Sequence, residues 1–374
     1  MKIRVKNNRM QLSDFDYALP ENLIAQMPAD KRENSKMLVL DRQTQALEHK
    51  HFFDIVDYLD ENCILVLNNT KVLPARLYGT KDTGAKIEVF LLHPSSKMGK
   101  MPNTYDMPIN KQENLRIWSC LIKPSKRVKP DTIITVCDKL QVRPVKKQGN
   151  DGEWLVELIY EGDLFKILHE AGNIPLPPYI ERKLQTDDIK QFDIERYQTV
   201  YAKDEGSVAA PTAGLHFTEE ILEKLQSKGV EIAYVTLNVG LGTFRPVRCE
   251  NISDHKMHSE IFAITQDAAQ KINNAKSKGK KVAAVGTTTV RTLETAYQKY
   301  GCIKACHDSS ELFIYPPYEF KVTDKLITNF HLPKSTLLML AAAFAGKDFI
   351  FKAYKNAIEN QYRFFSYGDC MFIS

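Results

Sequence analysis

"TQDAAQKINNAKSKGKKVAAVGTTTVRTLETAY", residues 265–297, decides the fold class of this chain. Its first half repeats apolar residues at helical spacing as far as a glycine. "KKVAAVG" then reads as a short strand, and "VRTLETAY" returns to helical spacing after a Gly286-Thr-Thr-Thr loop. Helix, strand, loop and helix in this order form the unit of an α/β domain, and ligands bind such sheets at a strand's carboxyl end, where this loop falls. An earlier unit has the same grammar. Thr218 is placed to cap a helix with Glu219 and Glu220 in its first turn and Ile221, Leu222 and Leu225 on its buried face; Gly229 stops it and the strand "VEIAYVTL" follows.

Upstream, residues 74–172 have a different texture. "RLYGTKDTGAKIEVFLL", "TIITVCDKLQVRPV" and "EWLVELIY" are strand-rich stretches with no helix between them, and Ile87, Val89 and Leu91 alternate with Lys86 and Glu88. This predicts a small antiparallel barrel or sandwich. "HPSSKMGKMPNTYDMPINKQEN", residues 93–114, is too long and polar for a hairpin loop and reads as a mobile insertion. "PLPPYI" is a stiff extended return crossing. The apolar run "CILVL" near the N-terminus is therefore paired with the C-terminal region. The expectation is a mixed α/β main domain made of residues 1–72 and 175–374, with a barrel-like domain inserted at 73–174.

The chain has 374 residues and a formal net charge of +5, too mild to demand a nucleic-acid partner and compatible with a polyanion held on one basic face. The longest apolar run, "LLMLAAAFA", falls far short of the ~20 residues of a spanning helix and reads as a buried helix. The N-terminus lacks a signal-peptide pattern, and seven irregularly spaced cysteines suggest reduced thiols; a cytoplasmic protein with no membrane partner, and a monomer, is expected.

The bare stretch "SVAAPTAGLHFTEE" sets His216 beside small residues that leave room for a flat ligand, just before free N–H groups that favour an anion. It also fits a tight strand-to-helix turn whose histidine bonds a backbone carbonyl. The threonines after Gly286 are placed either to reach ribose oxygens or to cap their helix; the loop matches neither a G-x-G-x-x-G pattern nor a P-loop. "SDHKMHSE" brings His255 and His258 close to Asp254 and Glu260 without the further ligands of a metal site, so no metal is expected. Basic residues cluster at "KPSKRVK", and "YRFFSYGD" offers aromatics for stacking or for the core.

Taken in order, "LPENLIAQMPADKRENSKMLVLDR", "NNTKVLPARL", "YQTVYAKDEGSVAAPTAGLHFT", "VGLGTFRPV", "DHKMHSE", "VGTTTVRTLE", "TNFHLPKSTLLML" and "YRFFSYGD" closely resemble the S-adenosylmethionine:tRNA ribosyltransferase-isomerase family of queuosine biosynthesis. One departure is Asn238, where the resemblance leads one to expect histidine. The resemblance implies transfer and isomerisation of the ribosyl part of S-adenosylmethionine onto the aminomethyl nitrogen of 7-aminomethyl-7-deazaguanine (preQ1) at the tRNA wobble position. Epoxyqueuosine tRNA forms, and adenine and methionine leave. No cofactor is implied, S-adenosylmethionine being consumed as a substrate.

On this reading His216 is the candidate for assisting adenine departure, His258 with Glu260 for the base, and His331 with Asn329 for the opened sugar. Ala213, Gly214 and Thr218 are candidates for the nucleoside and its anionic end, and Thr287, Thr288 and Arg291 for sugar or carboxylate. Arg32, Arg76, Lys123, Lys126 and Arg127 are candidates for the tRNA.

Overall fold

The computed structural model describes residues 10–95, 116–148, 152–182, 186–240, 247 and 249–374. Its strands are β1 (Lys36–Asp41), β2 (Ala46–His51), β3 (Cys63–Asn68), β4 (Thr70–Val72), β5 (Arg76–Lys81), β6 (Lys86–Pro94), β7 (Ile117–Lys123), β8 (Ile134–Cys137), β9 (Leu140–Gln148) and β10 (Glu153–Tyr160). They continue with β11 (Asp204–Ser207), β12 (Glu231–Leu237), β13 (Glu260–Ile264), β14 (Lys281–Val285), β15 (Cys306–Ser310), β16 (Lys325–Asn329) and β17 (Cys370–Ile373). The helices are α1 (Leu164–Ala171), α2 (Asp187–Arg196), α3 (Glu219–Ser227), α4 (Gln266–Ser277), α5 (Thr287–Tyr300), α6 (Thr336–Ala345) and α7 (Lys347–Glu359).

The alternating strands of the middle region close into an antiparallel barrel in the order β10-β7-β6-β5-β8-β9. Ile87, Val89 and Leu91 enter its interior with Trp118, Val142, Trp154 and Val156, and α1 adds Leu164, Ile167 and Leu168 to the same core. Most of the long polar segment predicted as a mobile insertion lies outside the described residues.

The second layer system is a nine-stranded sheet, β15-β13-β12-β3-β14-β16-β17-β1-β2. At its centre β12, β3, β14 and β16 run parallel. All six residues of β3 are buried, as a strand covered on both faces requires. β3 pairs with β12 (Val66 beside Ala233) and with β14 (Val66 beside Ala284), so chain from before and after the barrel shares one sheet. Helices α4, α5, α6 and α7 contribute to one core with that sheet. The predicted apolar helix is α6, buried from Leu338 to Ala342. Among the described residues no helix is long and apolar enough to cross a membrane, and all seven cysteines are unpaired.

Candidate active site

Parallel strands deliver their carboxyl ends to one edge of the sheet, and a cleft opens there. Val239 follows β12, residues 286–288 follow β14, and residues 328–332 end and follow β16. Residues 209–213 enter from the side as the lead-in to a short 3-10 turn (Thr212–His216), and Tyr179, Phe365 and Ser366 complete the wall. The cleft encloses about 630 Å³ and is open to solvent.

The α5 end of the cleft is built for an anion. Gly286 holds φ 84, a conformation that side chains disfavour, and it occupies the N-cap position without any side-chain cap. The threonines therefore do not cap this helix: Thr287, Thr288 and Thr289 are its first turn. Their N–H groups have no intrahelical acceptor, and among the described residues nothing else bonds them. Thr287 is 7% exposed, and its hydroxyl likewise bonds no protein atom there. Thr288 Oγ1 accepts from Asn68 Nδ2 at 3.3 Å, which ties the turn to the end of β3.

Thr218 caps α3, as the sequence leads one to expect, but takes no part in the cleft as the substrate contact also assigned to it would require. Its hydroxyl accepts from Ile221 N at 3.3 Å and so already satisfies the α3 terminus, and it does not line the cleft. Gly214 is also outside the cleft. A Cβ there would overlap the Tyr201 hydroxyl and stand 2.9 Å from Thr199 Cγ2, so this glycine exists for close packing beneath the turn. Ala213 does face the cleft.

Two histidines flank Asn329. Its Nδ2 donates to Phe365 O at 2.9 Å and Ser366 O at 3.3 Å, which turns Oδ1 toward His216 Nε2 at 3.3 Å and places a proton on that nitrogen. Nδ1 of His216 then accepts from Ser35 Oγ at 2.7 Å. Burial lowers the His216 pKa to about 4; Asn329 opposes the shift, while Arg363 and Arg32 add to it. The ring is neutral at pH 7 with both nitrogens engaged, so it holds Asn329 in place and does not itself line the cleft. Its position suits it to orient Asn329 and not to reach a ligand in the cleft directly, unlike the direct part that the sequence reading assigns to it.

His331 does line the cleft. Its Nε2 lies 2.9 Å from Thr328 Oγ1, its N–H donates to Tyr354 Oη at 2.8 Å, and burial lowers its pKa to about 3. No protein group among the described residues bonds its Nδ1, so that nitrogen is left for a ligand. Opposite, Tyr179 Oη lies 2.7 Å from Ser366 Oγ, and burial pushes its pKa up to about 12, so it stays a phenol.

The remaining sequence candidates are dispersed. Glu260 and Arg291 form a buried ion pair, 5% exposed each; Glu260 also accepts Gly240 N at 2.9 Å, while Arg291 donates to Leu312 O and Ser310 O. Arg291 is thus occupied by protein, and Glu260 braces the chain next to Val239. His258 is exposed and outside the cleft. Asn238 accepts from Thr70 Oγ1 at 2.8 Å, a structural bond that needs no proton transfer.

Arg32 donates to Leu215 O and Glu195 O in a small notch behind His216. Arg76 and Lys123 line a separate groove of about 1880 Å³ between the barrel and residues 173–193, and Lys126 and Arg127 lie exposed in the 3-10 turn Ser125–Arg127. Sequence reasoning missed Tyr179, Ser366 and Thr328 as cleft residues and Ser35 as the partner of His216. They lie in segments whose sequences stand out, but nothing in local spacing tells which residue of a segment meets another strand's end.

Two comparisons with known proteins place the chain among relatives. A family described as "Queuosine biosynthesis protein" matches residues 12–373. The crystal structure of S-adenosylmethionine tRNA ribosyltransferase from Thermotoga maritima is 36% identical, with 96% of this chain and 100% of that chain covered and a TM-score of 0.52. The chain belongs to the queuosine biosynthesis protein family.

Proposed function

We propose that this chain is an S-adenosylmethionine:tRNA ribosyltransferase-isomerase that acts on preQ1 at the tRNA wobble position and releases adenine and methionine. One observation carries the reading. Residues 209–213, 286–288, 328–332 and 365–366, scattered over the second half of the sequence, line a single cleft at the carboxyl ends of parallel strands.

In this reading the adenosine lies along residues 209–213, where alanine side chains leave room for a flat ring. The methionine carboxylate sits at the α5 terminus, taking the free N–H groups of Thr287 and Thr288 and the Thr287 hydroxyl. The sulfonium acidifies the adjacent ribose carbon; its proton passes to the unengaged His331 Nδ1, which starts the rearrangement, and is handed on to the departing adenine. Adenine needs a hydrogen-bond donor on a ring nitrogen as its glycosidic bond breaks. The neutral His331 imidazole, kept uncharged by burial, meets the sugar or the purine through Nδ1. Asn329, fixed by His216, holds the Phe365-Ser366 wall against which the substrate rests.

The barrel, taken as a unit inserted at 73–174, presents Lys123, Lys126 and Arg127 to the RNA; Arg76 lines the groove beside it. S-adenosylmethionine enters as a substrate, and neither a metal nor a further cofactor has a part in this scheme.

The test is to incubate the chain with labelled S-adenosylmethionine and preQ1-bearing tRNA and to separate the small products. Free adenine and methionine are expected. S-adenosylhomocysteine with methylated RNA overturns the reading. His331→Ala is expected to slow adenine release by ~100-fold or more, the usual contribution of a positioned proton donor or acceptor. A rate within a few-fold of the parent removes His331 from the chemistry.

A further inference from the structure

We infer that Arg32, Arg196 and Tyr367 form a phosphate-binding notch for the RNA chain, set one side chain behind the S-adenosylmethionine cleft. This rests on the reading of the cleft just given. The notch spans about 280 Å³, open to solvent, and its lining also includes Ser35, His216 and Arg363.

Its charge is not cancelled from within. Arg363 has Asp369 at 3.4 Å, but among the described residues neither Arg32 nor Arg196 has a carboxylate within ion-pair distance. Arg32 bonds Leu215 O at 3.1 Å and Glu195 O at 2.9 Å; Arg196 bonds Asp30 O at 3.3 Å and Ala29 O. Carbonyl oxygens orient guanidinium groups and leave their charge in place. The two cations lie close enough that Arg196, after burial, depresses the Arg32 pKa.

The notch also holds hydrogen-bonding capacity that the protein does not use. Tyr367 is 3% exposed; its hydroxyl lies close to the guanidinium groups of Arg182, Arg196 and Arg32 and makes no hydrogen bond of ordinary geometry to any of them, and the buried Arg196 Nε likewise has no partner. Buried polar atoms without partners are uncommon in folded proteins. Planar cationic donors beside an unpaired hydroxyl suit a tetrahedral oxyanion. The polar atoms gathered there are cationic donors and a hydroxyl, which makes the phosphate group itself the ligand they suit.

Position selects RNA as the source. Ser366 lines both the notch and the cleft, and His216 in the notch bonds Asn329 in the cleft. A nucleotide that brings its base to the cleft carries phosphodiesters along the adjacent surface, and the uncompensated arginines stand there.

The test compares the parent with Tyr367→Phe, Arg196→Gln and Arg196→Lys. Three quantities are measured: affinity for preQ1-bearing tRNA across a salt series, affinity for S-adenosylmethionine, and melting temperature. Tyr367→Phe is expected to weaken RNA binding about tenfold, as loss of a hydrogen bond to a charged group does, without lowering the melting temperature. Arg196→Gln is expected to reduce the log–log salt slope by ~0.7–0.9, one phosphate's share, and Arg196→Lys to retain it.

Parent-like RNA affinity in Tyr367→Phe overturns the inference, and that variant decides the matter if Arg196→Gln fails to fold. An unchanged slope in a folded Arg196→Gln also overturns it. Weakened S-adenosylmethionine binding with unchanged RNA binding reassigns the notch to the methionine carboxylate. Saturable binding of inorganic phosphate with an unchanged RNA slope reassigns it to the free anion. If the parent itself releases no adenine, the reading of the cleft fails, whatever the notch does.

Discussion

Gly214→Ala separates packing from ligand contact at the bare turn. The added Cβ would stand 2.9 Å from Thr199 Cγ2 and 3.0 Å from Tyr201 Cζ, and would overlap the Tyr201 hydroxyl. Carbon atoms rest at about 3.5–4.0 Å, so two contacts fall at least ~0.5 Å short and the third is worse. Tyr201 is half-buried with its hydroxyl enclosed, and the Phe217 and Tyr234 rings beside it limit how far it can swing away. Overpacking of this kind costs ~1–3 kcal/mol, and the severity of the overlap puts the expectation near ~3 kcal/mol. For a chain of this length that is a melting-temperature drop of roughly 4 °C.

Tyr201→Phe alone removes a buried hydroxyl that has no hydrogen-bond partner, so it is expected to be neutral or stabilising by about 1 kcal/mol. In Gly214→Ala/Tyr201→Phe the worst overlap is gone, and at least ~1 kcal/mol of coupling is expected. Melting curves of the four proteins, with S-adenosylmethionine affinity measured on each, give the cycle. A stable Gly214→Ala that loses S-adenosylmethionine binding refutes the packing argument and restores the glycine to the ligand.

Three further outcomes follow from the same geometry. His216 has a folded pKa of about 4, below the ordinary 6.5, so the unfolded chain takes up its proton first; its stabilisation is complete above pH 6.5 and is lost as pH falls toward 4. That gap amounts to on the order of 3 kcal/mol, and His216→Gln should show a shallower fall of melting temperature between pH 7 and 4 than the parent; parallel curves contradict it. Arg291→Met leaves the Glu260 carboxylate buried without its cation and is expected to cost ~3–5 kcal/mol; adding Glu260→Gln should recover more than half of it, and strictly additive losses on denaturation argue against the pair. His258→Ala is expected to keep adenine release within a few-fold of the parent, because the side chain is exposed away from the cleft; a ~100-fold loss reinstates it as an acid or base.

The sequence made the elements legible where one periodicity ruled. Ile87, Val89 and Leu91 marked a barrel strand, Thr218 and Gly229 marked the ends of α3, and the run now seen in α6 was recognisable as buried. The apolar run Cys63–Leu67 reads as a buried strand and pairs with the later units because "PLPPYI" reads as the return crossing; it lies in β3, between β12 and β14 of the nine-stranded sheet. The site was less legible because side-chain partners come from distant segments. His216 stood out for its bare surroundings, yet the bareness of Gly214 answers Tyr201, and the imidazole is spent on Ser35 and Asn329. Glu260 and Arg291 each looked available, and no local pattern announces that two charges 31 residues apart neutralise one another. At Gly286 the positive φ makes the difference: the helix begins one residue earlier than a threonine cap requires, which leaves its N–H groups free.

The most direct measurement is a structure of this protein with S-adenosylmethionine bound. The account predicts the adenosine against residues 209–213, the carboxylate on the N–H groups of Thr287 and Thr288, and a ligand oxygen or nitrogen within hydrogen-bond reach of His331 Nδ1. A ligand seated instead in the groove between Arg76, Lys123 and residues 173–193 contradicts it.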